Sequence, residues 1–286
     1  VKNIVWLASY PKSGNTWVRV FLTNLLRDSD CPADINQLEM TPIASNRSVF
    51  DDVVGMKAAD LSYDEVDRLR PEVYRFLSNE ARRTCFLKIH DAYTLVDGVA
   101  PLVPLESTRS VIYIIRNPLD VVISFANHLG TPIDRAVKRM ADENFCFSGN
   151  PRRLNGQLRQ RLLSWSGHVQ SWTDAKDLEV LVIKFEDMKR TPLEIFTRAV
   201  SFAGLEKSHE QIKKALVFSD FNEMQRQEKE NGFKEKPLKA EAFFRKGEGG
   251  AWRNVLTYSQ VKKIIKKHSQ VMKRFGYLDK KGEPIF

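Results

Sequence analysis

The run from Asn3 to Leu25 constrains this chain more than any other. A continuous β-rich apolar stretch, Asn3 to Ser9, stops at Tyr10-Pro11-Lys12-Ser13-Gly14, and a helical pattern follows through Trp17, Val18, Phe21, Leu22 and Leu25. An apolar run without polar alternation reads as a strand buried on both faces, so the sheet that holds it must be covered on both sides. A short turn from such a strand into a helix aims backbone N–H groups and the positive helix end at one spot, which suits a phosphate. Lys12 adds a mobile charge, and Ser13, Asn15 and Thr16 add donors. The lysine precedes the glycine, so the turn is not a G-x-x-x-x-G-K-[ST] loop. Taken alone, the stretch also fits an ordinary strand-to-helix turn capped by Ser13 or Asn15, with Trp17 as a core aromatic.

The same alternation continues. Further strands are expected at Thr84 to His90, Ser110 to Arg116 and Glu179 to Phe185. Asn117-Pro118 opens a helix with a cap and a first-turn proline, and Thr191-Pro192-Leu193-Glu194 predicts a capping box for another that ends near Gly204. Strands separated by helices predict a three-layer α/β/α fold with a mainly parallel central sheet. Ligands in such folds lie beyond the carboxyl ends of the strands. Lys12, His90, Arg116 and Phe185 all fall there. Asn231 to Asn254 has no clear periodicity and contains Gly247, Gly249 and Gly250, which reads as a long functional loop.

Composition bounds the class. The 286 residues are 42% hydrophobic and 28% charged, enough apolar content for a substantial core, and residues 1–286 are expected to form one domain. No apolar run approaches the ~18 residues of a membrane helix, and Ile4 to Ala8 is too short for a signal-peptide core. Cys31, Cys85 and Cys146 make neither a metal set nor a disulfide framework, which predicts a reducing, cytoplasmic setting. The net charge of +9 resides in the last stretch: residues 226–286 hold 16 basic and 7 acidic side chains. Lys262, Lys263, Lys266 and Lys267 bracket Ile264 and Ile265, the pattern of a solvated helix face.

Three motifs together resemble one family. Ser9-Tyr10-Pro11-Lys12-Ser13-Gly14-Asn15-Thr16-Trp17 is similar to the 5′-phosphosulfate loop of the cytosolic-type sulfotransferases, which use 3′-phosphoadenosine 5′-phosphosulfate (PAPS). Tyr113-Ile114-Ile115-Arg116-Asn117-Pro118-Leu119-Asp120, followed by Ser124, resembles their 3′-phosphate motif. Phe244-Arg245-Lys246-Gly247, with Gly250 and Trp252, resembles their late R-K-G-x-x-G-x-W element. The motifs occur in family order across nearly the whole chain. Asn15, Phe185 and Ala251 depart from the family's usual threonine, tyrosine and aspartate.

The resemblance implies roles. Lys12 would contact the oxygen between phosphate and sulfate, Ser13, Gly14, Asn15 and Thr16 would cradle the 5′-phosphate, and Trp17 would stack on adenine. Arg116, Ser124, Arg245, Lys246 and Gly247 would hold the 3′-phosphate. Phe185, Ser219 and Phe221 would border the adenine. His90 would be the catalytic base, with Lys88 as its charged helper; Lys12 and Ser124 complete the expected catalytic set. The product would be adenosine 3′,5′-bisphosphate (PAP). Sulfuryl transfer needs in-line alignment and positive charge near the leaving oxygen, which a lysine can supply, so no metal is expected. The acceptor would be a hydroxyl- or amine-bearing small molecule, with no nucleic acid and no transmembrane segment. Its pocket is expected from the loops Cys31–Gly55, Thr131–Gly156 and Asn231–Glu248. The alternatives are an NTP-dependent kinase with an atypical phosphate loop and a nucleic-acid-binding module using the basic C-terminal end.

Overall fold

The computed structural model describes residues 2–150, 154–237, 240, 242–245 and 247–285. Four strands form the central sheet: β1 (Ile4–Ser9), β2 (Cys85–Ile89), β3 (Thr108–Ile115) and β4 (Val180–Lys184), in the spatial order β2-β1-β3-β4. All neighbouring pairs are parallel, with Leu7 opposite Lys88, Ser9 opposite Ile114 and Ile115 opposite Lys184. The expected strands are thus present, with ends displaced by one or two residues.

Every residue of β1 is buried, and its side chains divide by parity. Ile4, Trp6 and Ala8 join one core with Tyr113, Phe125, Trp165 and Ile264. Val5 and Leu7 join the other with Phe21, Ile114, Ile183 and Phe196. The helices Pro118–Leu129, Trp165–Thr173 and Tyr258–Arg274 contribute to the first, and Asn15–Arg27, Pro192–Phe202 and His209–Phe218 to the second. Helices on both faces of a parallel sheet give the expected three layers. The strand order reverses direction at β1, so the crevice for a ligand lies beyond the carboxyl ends of β1 and β3.

Some local expectations give way. Thr191 makes no side-chain cap bond to the helix Pro192–Phe202. Its N–H instead donates to Asp187 O at 2.8 Å, closing the short helix Phe185–Arg190, so one residue serves two helix ends and cannot adopt the capping geometry. The helix Asn15–Arg27 starts from Gly14 in the left-handed region, without a Ser13 or Asn15 side-chain cap. Two of the stretches expected as loops contain helices, Arg47–Val54 and Ile133–Ala141. The lysines of Tyr258–Arg274 are exposed around buried Ile264, as expected of a solvated face. No helix of the described residues is long and apolar enough to cross a membrane.

Candidate active site

A cavity of about 630 Å³ opens beyond the carboxyl ends of the strands. The first wall is the turn after β1. Lys12 and Gly14 both have positive φ, at 70° and 105°. Gly14 needs its freedom twice over, because a Cβ there would sit 2.7 Å from the Phe185 ring. Gly14, Thr16 and Trp17 line the cavity, and so does Lys12, whose Nζ lies 3.6 Å from the Phe243 ring centre. Burial pulls the Lys12 pKa down to about 7, helped by the positive charges of Lys88, Arg116 and Arg245.

Two members of this turn differ, Asn15 lining the cavity while it is also tied to β1, and Ser13 lying behind the cavity wall. The Asn15 amide donates to Leu7 O at 2.8 Å and Ser9 Oγ at 3.1 Å, so it ties the helix to the strand it follows. Ser13 does not line the cavity; its Oγ is buried with no partner among the described residues.

Arg116 stands at the end of β3, before the helix opened by the Asn117 cap and Pro118. Its guanidinium stacks 4.2 Å from the Phe185 ring and donates to Lys12 O at 3.3 Å and Glu248 O at 2.8 Å. Arg116 thereby joins the β1 turn to the late loop. Ser124 lines the same cavity one helical face further on, with Arg245 and Gly247 from the late loop. Lys246 lies outside the described residues. Gly247, at φ 60°, leaves room for the Phe221 ring, which a Cβ would meet at 2.5 Å. Phe221, Trp17 and Phe185 form an aromatic end to the cavity, and Lys189 Nζ lies 5.6 Å from the Trp17 ring and 5.9 Å from Phe221. Ser219 does not reach it. Its buried hydroxyl bonds back to Ala215 O at 2.8 Å, and Asp220 and Phe221 line the cavity instead.

At the other end, Lys88 and His90 leave β2. His90 Nδ1 lies 2.8 Å from Ser9 O. A carbonyl only accepts, so Nδ1 carries the proton and Nε2 keeps its lone pair. Burial first, then Lys88, holds the His90 pKa well below the ordinary imidazole value. The neutral form expected of a base therefore prevails well below neutral pH, a larger shift than the sequence suggests.

The main chain beneath His90 is pinned. His168 Nε2 donates to His90 O at 3.0 Å, while Tyr113 O–H donates to His168 Nδ1 at 2.8 Å. Asp91, the next residue, takes two bonds from Arg70 at 3.0 and 2.7 Å, each side chain 1% exposed. Removing one member of such a pair strands the other charge in the interior. Asp91→Ala should therefore cost about 3–5 kcal/mol of stability in urea unfolding; a loss below about 1 kcal/mol would show that Arg70 has other adequate partners.

Three carboxylates that sequence reasoning missed organise the late loop. Asp120 accepts from Gly250 N at 2.8 Å and Trp252 N at 3.1 Å. Glu228 accepts from Phe243 N at 2.7 Å and Phe244 N at 2.8 Å. Glu235 reaches Lys88 Nζ at 3.0 Å and Arg19 at 2.6 Å. Burial alone would raise its carboxyl, but Lys88 and Arg19 outweigh that and bring it to about 2. Lys88 is thus an ion-paired side chain at the His90 end of the cavity. Of the three expected pocket loops, Cys31–Gly55 contributes no lining residue, Thr131–Gly156 contributes Phe147, and Asn231–Glu248 contributes most. Among the described residues no group of three or more His, Cys, Asp and Glu side chains gathers as a metal site.

Comparison with known proteins gives a consistent picture. The family model described as "Sulfotransferase domain" matches residues 2–276. Flavonol 4'-sulfotransferase from Flaveria chlorifolia is 22% identical over 92% of this chain and 77% of that protein. Sulfotransferase 1A1 from Canis lupus familiaris is 24% identical over 94% of this chain and 83% of that protein. Among solved structures, retinol dehydratase in complex with androsterone and inactive cofactor PAP superposes with a TM-score of 0.64 at 19% identity, covering 95% of this chain and 81% of that one. Mouse sulfotransferase SULT7A1 complexed with PAP gives 0.60 at 20% identity, covering 99% and 87%. At these identities the structural likeness is one of fold.

Proposed function

This chain belongs to the sulfotransferase domain family, and from that premise we propose that it moves a sulfonate from PAPS to a hydroxyl or amine of a small molecule, acting as a single domain. The observation that carries the reading is one cavity with the basic side chains Lys12, Arg116 and Arg245 beside a neutral, tautomer-fixed His90. The family match favours sulfotransfer over the kinase rival, and the basic helix Tyr258–Arg274 lies outside the cavity as a solvated face, which gives the nucleic-acid rival no support. Three unpaired cysteine thiols agree with a reducing, cytoplasmic setting.

The residues fit the nucleotide. The glycine-only approach at Gly14, the buried Arg116 Nε without a partner among the described residues and the aromatic end formed by Trp17, Phe185 and Phe221 suit a phosphate turn followed by a flat ring. Lys12, Gly14 and Thr16 would hold the 5′-phosphate side, and Arg116, Ser124, Arg245 and Gly247 the 3′-phosphate, with Lys246 adjoining in sequence. When bound, PAPS supplies an activated sulfonate on a phosphate leaving group. Lys12 places positive charge where the leaving oxygen gains negative charge. His90 Nε2 accepts the acceptor's proton, and Ser9 O holds the imidazole by its Nδ1–H. Lys88, paired with Glu235, keeps the imidazole neutral through repulsion without competing for the proton.

Nucleotide selectivity tests this reading. Charge-assisted contacts contribute roughly 1.5–3 kcal/mol each, so losing the 3′-phosphate should weaken binding at least about tenfold. Calorimetry should give PAP an affinity that much above AMP. Equal affinities would remove the assignment of Arg116, Ser124 and Arg245.

A further inference from the structure

The acceptor end holds two polar side chains that the transfer chemistry leaves unused. His128 lines the cavity in the last turn of the helix Pro118–Leu129. Its Nδ1 is buried without a partner, and neither ring nitrogen hydrogen-bonds within the described residues. The charges of Lys12, Lys88 and Glu235 all act on it, so it sits at the reacting end rather than the aromatic nucleotide end. Its ring lies 6.0 Å from that of Phe147. Phe147 pairs with Gln160 in a two-residue antiparallel ribbon, and Gln160 Nε2 donates to Gln157 Oε1 at 2.9 Å. Ser45 Oγ donates to the same oxygen at 3.3 Å.

Those two bonds engage one end of the Gln157 amide. Gln160 Oε1 has no partner among the described residues, so the two amides can reverse together and either end of Gln157 can be the one left over. The leftover end belongs to a half-buried side chain that lines the same cavity as His128. A buried polar atom such as His128 Nδ1 is normally hydrogen-bonded. The two side chains, linked through Phe147 and Gln160, offer polar groups in a cavity that Phe147 also lines.

We propose that His128 and Gln157 bind a second oxygen of the acceptor, so the substrate class is an apolar skeleton carrying two oxygen functions, such as a diol, rather than a monohydric alcohol. This rests on the sulfotransfer reading above. Burial, with Lys12 and Lys88, pulls the His128 pKa down to about 3, so the ring stays a neutral hydrogen-bonding partner at any working pH. The free end of the Gln157 amide hydrogen-bonds the second hydroxyl, as donor or acceptor, and that hydroxyl can also bond the imidazole. Phe147 and Phe243 enclose the skeleton between the two oxygens.

Matched acceptors test it: 2-naphthol against 2,6-dihydroxynaphthalene, and cyclohexanol against trans-1,4-cyclohexanediol, each with PAPS. After halving the diol rate for its two equivalent hydroxyls, the diol should have about tenfold higher kcat/KM in at least one pair, the worth of one net hydrogen bond to a buried group. The ratio should collapse toward one in His128→Phe and in Gln157→Leu, and recover in part in His128→Gln. Equal per-hydroxyl kcat/KM in both pairs, or a preference unchanged in both apolar variants, overturns the proposal. PAP calorimetry on the same samples separates the failures. Absent PAP binding defeats the sulfotransfer reading, whereas PAP binding with no diol turned over defeats only this one.

Discussion

Lys12→Ala should lower kcat by about 100- to 1000-fold while PAP affinity falls much less. The asymmetry follows from where the charge is needed. On the proposed assignment PAP would keep its contacts to Arg116 and Arg245 in the variant, whereas charge on the leaving oxygen grows only during transfer, where Lys12 would offset it. Lys12 also brings a pH dependence, because its pKa in the free enzyme is about 7. Binding an anion needs the ammonium form. As pH rises above about 7 a growing fraction of free enzyme holds the neutral amine, so kcat/KM for PAPS should fall, approaching tenfold per unit. The bound phosphates favour the ammonium, so kcat should stay flat over that range. Lys12→Arg should remove the alkaline limb, because a guanidinium does not titrate there. A Lys12→Ala enzyme that binds PAP far worse yet turns over normally at saturation would make Lys12 a binding residue only.

His90→Gln should lose roughly 100-fold or more in kcat and still bind PAP. Glutamine keeps the side chain polar and can donate to Ser9 O, but it has no basic nitrogen at Nε2. In the native enzyme burial and Lys88 hold the imidazole well below its ordinary pKa. Between pH 8 and about 6.5, then, His90 should produce no decline in kcat, and its acid limb should appear only at lower pH. A His90→Gln enzyme with near-native kcat and the same pH profile would reduce His90 to a group that packs the strand end.

The parts of this fold that the sequence announces are those written in consecutive residues. Ile4–Ser9 and Thr108–Ile115 are uninterrupted apolar runs because helices cover both sheet faces, so strand and burial are one signal. Asn117-Pro118 opens its helix as its cap chemistry requires. Lys12, His90, Arg116 and Phe185 share the cavity because each follows a parallel strand, and parallel strands end on the same edge. What escaped notice acts across distance. Asp120 holds Gly250, 130 residues on, and Glu235 holds Lys88 from 147 residues away. An acidic residue in a basic stretch carries no local sign of that. Asn15 and Ser219 also bond nearby backbone, Asn15 from the cavity wall and Ser219 away from it, because short polar side chains reach backbone as readily as a ligand. His128 and Gln157 were equally silent, since Gln157 meets Gln160 and Ser45 only through the fold.

Following two labels at once shows directly whether this cavity transfers a sulfonate. Purified protein is given PAPS labelled with sulfur-35 together with ATP labelled at its terminal phosphorus-32, Mg²⁺ and the matched alcohols and diols. Sulfur-35 should pass to an organic acceptor with one PAP formed per ester, the phosphorus-32 should remain in ATP, and His90→Gln should abolish most of the sulfur transfer. Phosphorus-32 in the acceptor, or sulfur-35 released only as inorganic sulfate at the same rate in native and His90→Gln enzyme, would contradict the account.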